Sequence, residues 1–570
     1  YYPKWIPGEH GPTGPVVDLV GLRFSAGGQT IPWRRDPVDM YAFHLTVPSG
    51  ASAVEAQLDY LAPVAGGNFT AGSSNTSNLA VLSWHTVLLY PKGFPGEQLT
   101  YRAGLRLPAG WKQATSLQVA SESGGVVAYR PASMTELIDA PVLMGAHLVT
   151  VPLAESLGAS HRLDIASDSP SSLLLPPGFD DSYDRLVAEF HALFGARHYR
   201  GYRWLVALSD HVAHFGLEHH ESSDNRMPEA TLGSEALRLD LAGLLAHEFA
   251  HSWNAKYRRP VGLVDPDYHE PMQGEMLWVY EGLTQYLGFV LTPRSGLWSP
   301  EFFRERLAML AANLDHQAGR GWRPLADTAV SAQILFGSAS EWRTWRRSAD
   351  FYDESVLLWL EADAMIRAKS GGKRSMDDFL RRFHGGESGP PQVVPYTYED
   401  VVAELRAVAD LDWKAHFDRR LQEVGPRAPL AGLEAQGWRL VYDQRPNPAL
   451  ENREQRNEYR DWLYSLGLQV DAEGRISDAV PEMPAARAGI APGMTVVAVD
   501  GLRYSGERLD AAIDRAQKDK QPIELLIENA DAFRAVKVEY SGGRRYPHLE
   551  RIEGRPDLLT QVITARAKGR

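Results

Sequence analysis

The stretch that most restricts what this chain can fold into is "LRLDLAGLLAHEFAHSWNAKY", Leu237–Tyr257. Its apolar residues cover nearly the whole circumference of a helix, which predicts a helix buried all round rather than one lying on a surface. His247 and His251 stand four residues apart within it, and Glu248 directly follows the first. On a helix, residues i and i+4 share a face, so both imidazoles can address one ion while Glu248 sits beside it to act on a water. Buried polar groups without partners are costly, and a metal ion supplies the compensation. The plain alternative is a buried helix with two hydrogen-bonded histidines.

Composition narrows the metal chemistry. The chain of 570 residues has no cysteine, so disulfides, thiolate ligands and a cysteine nucleophile are excluded, and a metal must be held by His, Asp or Glu. A formal net charge of −13 argues against a nucleic-acid-coating surface. No run of uncharged apolar residues is long enough to span a bilayer, so no membrane partner is expected. The sequence opens on Tyr1 rather than Met, from which a missing leader and a periplasmic or secreted protein are expected, with a cytoplasmic one still open. The N-x-S/T matches at Asn68 and Asn75 read as chance.

Three regions are expected. Residues 1–177 read as all-β: Val54, Ala56, Leu58 and Tyr60 alternate with Glu55, Gln57 and Asp59, and Gly- and Pro-containing turns punctuate further runs such as "AVLSWHTVLLY". Residues 178–430 read as a small sheet plus many helices. "DSYDRLVAEFHALF" opens them, "YRWLVAL" is a strand, and Ser299-Pro300 begins a capped helix. "QRPNPALENREQ" reads as a linker to a C-terminal region at 450–545. There "PAARAGIAPGMTVVAVDGLRY" resembles the core of a PDZ domain, and "YSLGLQVD" takes the place of the loop that receives a peptide's terminal carboxylate in such domains.

A catalytic zinc takes three protein ligands and keeps one position open. Glu270 lies nineteen positions after His251 but is followed by Pro271 in a loop-like stretch. Glu281 stands in "MLWVYEGLTQYLG", where Leu277, Tyr280, Thr284 and Leu287 recur at three- and four-residue steps. A ligand on a rigid helix is better positioned, so Glu281 is the expected third ligand, with Glu270 and Glu275 as alternatives.

"HEFAHSWN" with "LWVYEGLTQYLG", "FGLEH", the opening "PKWIPGEHGPTGP" and the PDZ-like C-terminal region resemble the glycyl aminopeptidase family of zinc metallopeptidases, the sixty-first metallopeptidase family, over nearly the whole chain. The resemblance implies a multidomain fold: an N-terminal all-β domain, a thermolysin-like, mostly helical α+β catalytic domain related to that of aminopeptidase N enzymes, and a PDZ domain. It also implies one catalytic zinc and cleavage of N-terminal glycine or alanine from peptides with a free N-terminus.

For such hydrolysis Glu248 is the expected general base. Tyr352 aligns with the tyrosine of the Y-x-K-G pattern of aminopeptidase N relatives and is the expected oxyanion donor, although Glu354 and Ser355 stand where Lys and Gly would be. Gly216 and Glu218 match the Gly-x-Met-Glu-Asn segment of those enzymes, whose glutamate binds the substrate's α-amine; His219 replaces the Asn. An aromatic group such as Phe215 is a candidate for blocking the side-chain pocket. Arg258 and Arg259 are candidates for a peptide carboxylate or, better, a structural role at the helix end. Two other readings stay open. One is a zinc endopeptidase that captures substrates or C-termini on its PDZ domain, the other a PDZ peptide-binding scaffold with a vestigial peptidase domain.

Overall fold

The structure, a computed structural model, describes residues 1–62, 72–335 and 337–567. The Asn68 sequon lies outside these residues. The chain divides into two compact units, residues 1–274 with 381–398 and 567–570, and residues 275–380 with 399–566; the expected boundaries near 177 and 430 fall inside them.

The first unit begins β-rich. Strand β1 (Leu19–Ala26) pairs antiparallel with β2 (Glu55–Tyr60), the stretch whose period of two marked it as a strand. β3 (Leu79–Leu82) pairs with β4 (Val142–Gly145). The expected longer strand through "AVLSWHTVLLY" stops at Leu82, and Trp84–Thr86 turn into a short 3-10 helix whose Thr86 Oγ1 donates to the Ser83 carbonyl at 2.7 Å.

A five-stranded sheet follows, built from β5 (Leu148–Ser156), β6 (Ala159–Ser167), β7 (Gly201–Leu208), β8 (Gly216–Glu218) and β9 (Ser222–Met227) in the order β5-β6-β7-β9-β8. β6, β7 and β9 run parallel, with helix α1 (Phe179–Phe194) in the β6-to-β7 connection. β8 closes one edge antiparallel to β9 with Gly216 opposite Asn225 and Glu218 opposite Ser223. Every residue of β9 is buried, the condition of a parallel strand covered on both faces.

Helix α2 (Glu235–Ala250) carries the two-histidine motif. Ser234 caps it, its side chain accepting the Leu237 amide. The sheet fastens it: Trp204 Nε1 donates to the Leu245 carbonyl at 3.0 Å and the Tyr202 hydroxyl to the Glu248 carbonyl at 3.2 Å. Phe249 packs among Phe190, Tyr202 and Trp204 with ring centroids 4.7, 4.6 and 4.8 Å away. The helix ends at Ala250, earlier than its apolar pattern suggests, because the chain turns there: Lys256 N–H bonds the His251 carbonyl and Arg258 N–H the Trp253 carbonyl. His251 keeps helical torsions, so the i, i+4 geometry survives.

The second unit is mostly helical at first. α3 (Leu277–Tyr280) and α4 (Gly282–Arg294) act as one helix, since Glu281 N–H bonds the Leu277 carbonyl and Gln285 N–H bonds that of Glu281. α5 (Pro300–Asp315) starts on the Ser299 cap, as its sequence predicts. α6 (Asp350–Ser370) packs along α4.

The expected linker "QRPNPALENREQ" is instead mostly helix α7 (Pro448–Asn457). Asn447 caps it, accepting the amides of Ala449 and Leu450, and Pro448 takes the first helical position. Ala449 and Leu450 are buried in a cluster with Met309 and Tyr464. The polar residues that suggested a linker are its solvated face.

Strand β10 (Trp438–Asp443) and a later strand enclose the C-terminal region, in which β11 (Tyr459–Trp462), β12 (Leu468–Asp471) and β13 (Ile476–Ala479) form one sheet. β14 (Thr495–Val499), β15 (Ile523–Asn529) and β16 (Ala532–Val538) belong to a second. Helix α8 (Gly506–Asp519) precedes β15, and β17 (Tyr546–Arg551) returns to pair with β10. The two sheets share a core that includes Trp462 and Leu468 from the first, Leu509 from α8, and Ile523, Leu525 and Ile527 from alternate positions of β15. That alternation is the period of two of a strand with one face buried. No helix among the described residues is long and apolar enough to cross a membrane.

Candidate active site

Within the first unit the sheet and α2 bring together His247, His251, Glu248, Gly216 and Glu218. His247 and His251 point their rings at one place, Nε2 to Nε2 3.1 Å apart. His251 Nδ1 lies 3.0 Å from the Asn254 carbonyl, which fixes it as the protonated nitrogen and leaves the Nε2 lone pair facing His247. Two nitrogens bound tetrahedrally to one zinc at 2.0–2.1 Å stand about 3.3 Å apart, close to the spacing seen. The donor set therefore fits a metal ion. Asn254 is in turn held by its side chain, whose Oδ1 lies 3.1 Å from Nε2 of the buried His384. The sequence motif contains this asparagine, but nothing local marks His384 as its partner.

The edge strand β8 lies on the motif. A methyl on Gly216 would come 2.1 Å from Glu248 Oε1 and 2.8 Å from its Cδ, so only glycine allows the backbone to close over that carboxylate. Glu248 is buried, as is Glu218 two residues along the strand. Oxygens of Glu218 and Glu248 and a nitrogen of His251 all lie within 4.8 Å of one another. Gly216→Ala is expected to lower kcat by about 100-fold through displacement of Glu248, with zinc content unchanged. Unchanged kcat in that variant would show that the close approach does not matter to the chemistry.

The turn after β8 is anchored by a residue that sequence reasoning missed. Asp139 accepts the His220 amide at 2.7 Å and the buried Lys256 ammonium at 3.0 Å. Burial opposes the charge on Asp139, but Lys256 and His219 outweigh it and hold the carboxyl well below the usual range. Burial pushes the His220 imidazole down to about 3, so it is neutral at pH 7. These groups, with Arg259, Leu217 and Tyr268, line a cavity of about 490 Å³.

Asp265 lines the same cavity. Its Oδ1 accepts the amides of Asp267 and Tyr268, while its Oδ2 has no partner among the described residues, and burial pushes the carboxyl up to about 7. A carboxyl raised from an unfolded value of 3.8 binds more proton in the folded state, so stability falls as pH rises from there through about 7. Asp265→Asn keeps the accepting oxygen and cannot ionise. It is expected to raise Tm at pH 8 and to change it little at pH 4; an equal shift at both pH values would sink this account.

The other candidates take structural places. Arg226 lies over the Phe215 ring at 4.5 Å, and Arg258 over those of Phe383 and Tyr396 at 4.3 and 5.6 Å. Arg259 Nε donates to the Ala255 carbonyl at 2.9 Å.

Glu281 and Tyr352 belong to the second unit. Glu281 is buried, whereas the alternatives Glu270 and Glu275 are exposed. The next residue, Gly282, crosses α6 so closely that a methyl there would meet Ser355 Cβ at 2.3 Å and the Phe351 carbonyl at 2.6 Å. Tyr352 is half-buried near the start of α6, its ring centroid 4.8 Å from that of Phe351. Glu354, where the aminopeptidase N pattern has a lysine, is buried between two guanidiniums. It accepts from Arg320 at 2.9 Å and from Arg347, which also reaches Asp350 at 3.0 Å.

The chain is similar to known proteins in sequence and in fold. The family model described as M61 glycyl aminopeptidase matches residues 240–358, and that of the peptidase M61 N-terminal domain matches residues 1–146. No curated protein matches the chain in sequence. Among solved structures, the aminopeptidase N family protein from Idiomarina loihiensis is similar at 17% identity, covering 99% of this chain and 94% of that one, with a TM-score of 0.80. The M1 zinc metallopeptidase from Deinococcus radiodurans is similar at 17% identity over 72% of this chain and 87% of that one, with a TM-score of 0.46. At these identities the first likeness is one of fold.

Proposed function

From the membership of this chain in the M61 glycyl aminopeptidase family, we propose a zinc-dependent aminopeptidase that removes small first residues, glycine and alanine above all, from peptides with a free N-terminus. The chain is a peptidase of a zinc-dependent family, with one catalytic zinc. The observation that carries the finer reading is the pair of imidazole nitrogens 3.1 Å apart with two buried carboxylates, Glu248 and Glu218, beside them.

His247 and His251 hold the metal, and Glu281, the buried carboxylate among the three downstream candidates, completes a set of three protein ligands. When bound, zinc supplies Lewis acidity toward a carbonyl and lowers the pKa of a water. Glu248 takes the water's proton and returns it to the leaving amine. Glu218 receives the substrate's ammonium; a charge-assisted bond in a buried site discriminates strongly against a blocked amine. Gly216 lets the edge strand approach the substrate backbone, and the Tyr352 hydroxyl donates to the oxyanion.

The C-terminal region is read as a PDZ-type module, from its succession of strands, the short helix Pro484–Arg487 and helix α8. Capture of a peptide by such a module adds a strand to an open sheet edge. Here β12 is the middle strand of its sheet, paired to β11 on one side and β13 on the other. Arg460 and Trp462 of β11 both donate to Asp510 of α8, at 2.7 and 2.9 Å. This occupied edge weighs against the endopeptidase and scaffold readings, both of which need a peptide on β12.

The test compares a glycyl peptide with its N-acetylated form, each with and without a zinc chelator. Chelator-sensitive release of glycine from the free peptide alone is expected. Equal internal cleavage of both would replace the proposal with an endopeptidase, and no cleavage of either after zinc addition would reject it.

A further inference from the structure

The first residues of the chain make a loop with an unusual destination. Lys4 and Trp5 N–H both bond the Tyr268 carbonyl, at 2.9 and 3.0 Å, and Gly14 N–H returns to the Lys4 carbonyl at 3.0 Å, so the loop is tied at its neck. Inside it Glu9 N–H bonds the Ile6 carbonyl at 3.1 Å, closing a turn over Ile6–Glu9. Trp5, Ile6, Glu9 and His10 are buried, so the loop is packed against the unit rather than lying on it.

Gly8, at φ +90°, carries the turn onto the edge strand. A methyl there would stand 2.6 Å from Glu218 Oε2, 2.9 Å from Oε1 and 2.6 Å from Leu217 Cδ1. Both carboxylate oxygens thus crowd a single backbone position. Ile6 and Pro7, on the same turn, line the cavity of about 490 Å³ together with Leu217. The turn therefore touches the Glu218 carboxylate through Gly8 and borders that cavity through Ile6 and Pro7.

We propose that the Ile6–Glu9 turn is the end wall of the substrate cleft, and that Gly8 is a positioning residue whose contact holds the Glu218 carboxylate for a terminal ammonium and blocks a chain extended beyond it. The inference rests on Glu218 being the ammonium anchor. It adds a second cause for single-residue removal: charge selects the amine, and the wall leaves no path past it.

The test is a double-mutant cycle on the zinc-loaded, full-length protein with glycyl and N-acetylglycyl peptides. Gly8→Ala adds a methyl against the carboxylate, and Glu218→Asp withdraws that carboxylate by about 1.5 Å, one carbon–carbon bond. Gly8→Ala alone is expected to raise KM for the glycyl peptide by about 10–100-fold with a smaller change in kcat. The double variant is expected to lose about tenfold less kcat/KM than the product of the single losses, because the shorter acid relieves the contact. Purely multiplicative losses would overturn the wall. Should Gly8→Ala not fold, Pro7→Gly adds no atoms and loosens the turn. It is expected to raise cleavage of the N-acetylated peptide relative to the free one, and an unchanged ratio would overturn the proposal. Glu218→Ala separates the two readings: unaltered glycine release there removes the anchor itself, whereas a strong loss there with multiplicative Gly8 and Glu218 effects removes only the wall.

Discussion

Glu248→Gln is expected to lower kcat by about 10²–10⁴-fold while the protein still binds zinc. The amide has nearly the shape of the carboxylate, so it fits under Gly216, where a methyl's worth of extra volume does not. It cannot take a proton from water. The His251 imidazole keeps its bond to the Asn254 carbonyl, which the substitution does not touch. Turnover of a glycyl peptide and metal content by atomic absorption, on the same sample, check both halves. Activity within tenfold of the original would assign the base elsewhere, and loss of the metal would mean that Glu248 is a ligand.

The second large effect is on stability. Glu354→Ala removes the carboxylate that pairs two buried guanidiniums, Arg320 and Arg347, and leaves Asp350 as the remaining acid facing Arg347. Breaking a buried pair costs about 3–5 kcal/mol, because the remaining charge stays desolvated. A fall in Tm is therefore expected, with activity reduced as well, since Tyr352 lies two residues earlier on the same helix. Burial opposes the charge on Glu354, but Arg320 and Arg347 outweigh it and hold the carboxyl below its ordinary value. Its contribution is therefore present above the unfolded pKa and is lost as pH falls through the folded one. A Tm within a degree or two of the original would show that the network carries no net stability.

The departure from the aminopeptidase N pattern at Glu354 and Ser355 has its explanation in three dimensions. Glu354 answers two arginines that lie 34 and 7 residues away in sequence. Ser355 meets Gly282, and this close crossing of α4 and α6 is met by a glycine on α4. Neither partner is visible from the stretch around Tyr352.

Short-range features were legible because their geometry is local. The helix periodicity places His247, Glu248 and His251 on adjoining positions of α2, and Ser299 caps α5 through an amide three residues on. The linker reading of residues 444–455 failed for a nearby reason: a short helix with one narrow apolar side looks polar until its packing partners are known.

What the chain determined by itself is the chemistry within one helix: two imidazoles and a carboxylate at a spacing that fits a metal and a water, with no thiol to compete. Tertiary structure decided what surrounds it. Gly216 against Glu248, Gly8 against Glu218 and Asp139 against Lys256 join residues 32, 210 and 117 positions apart, and no local periodicity encodes such meetings. Backbone approach and the pairing of buried charge depend on how sheet, helix and loop pack together, because burial makes both steric fit and electrostatic compensation obligatory.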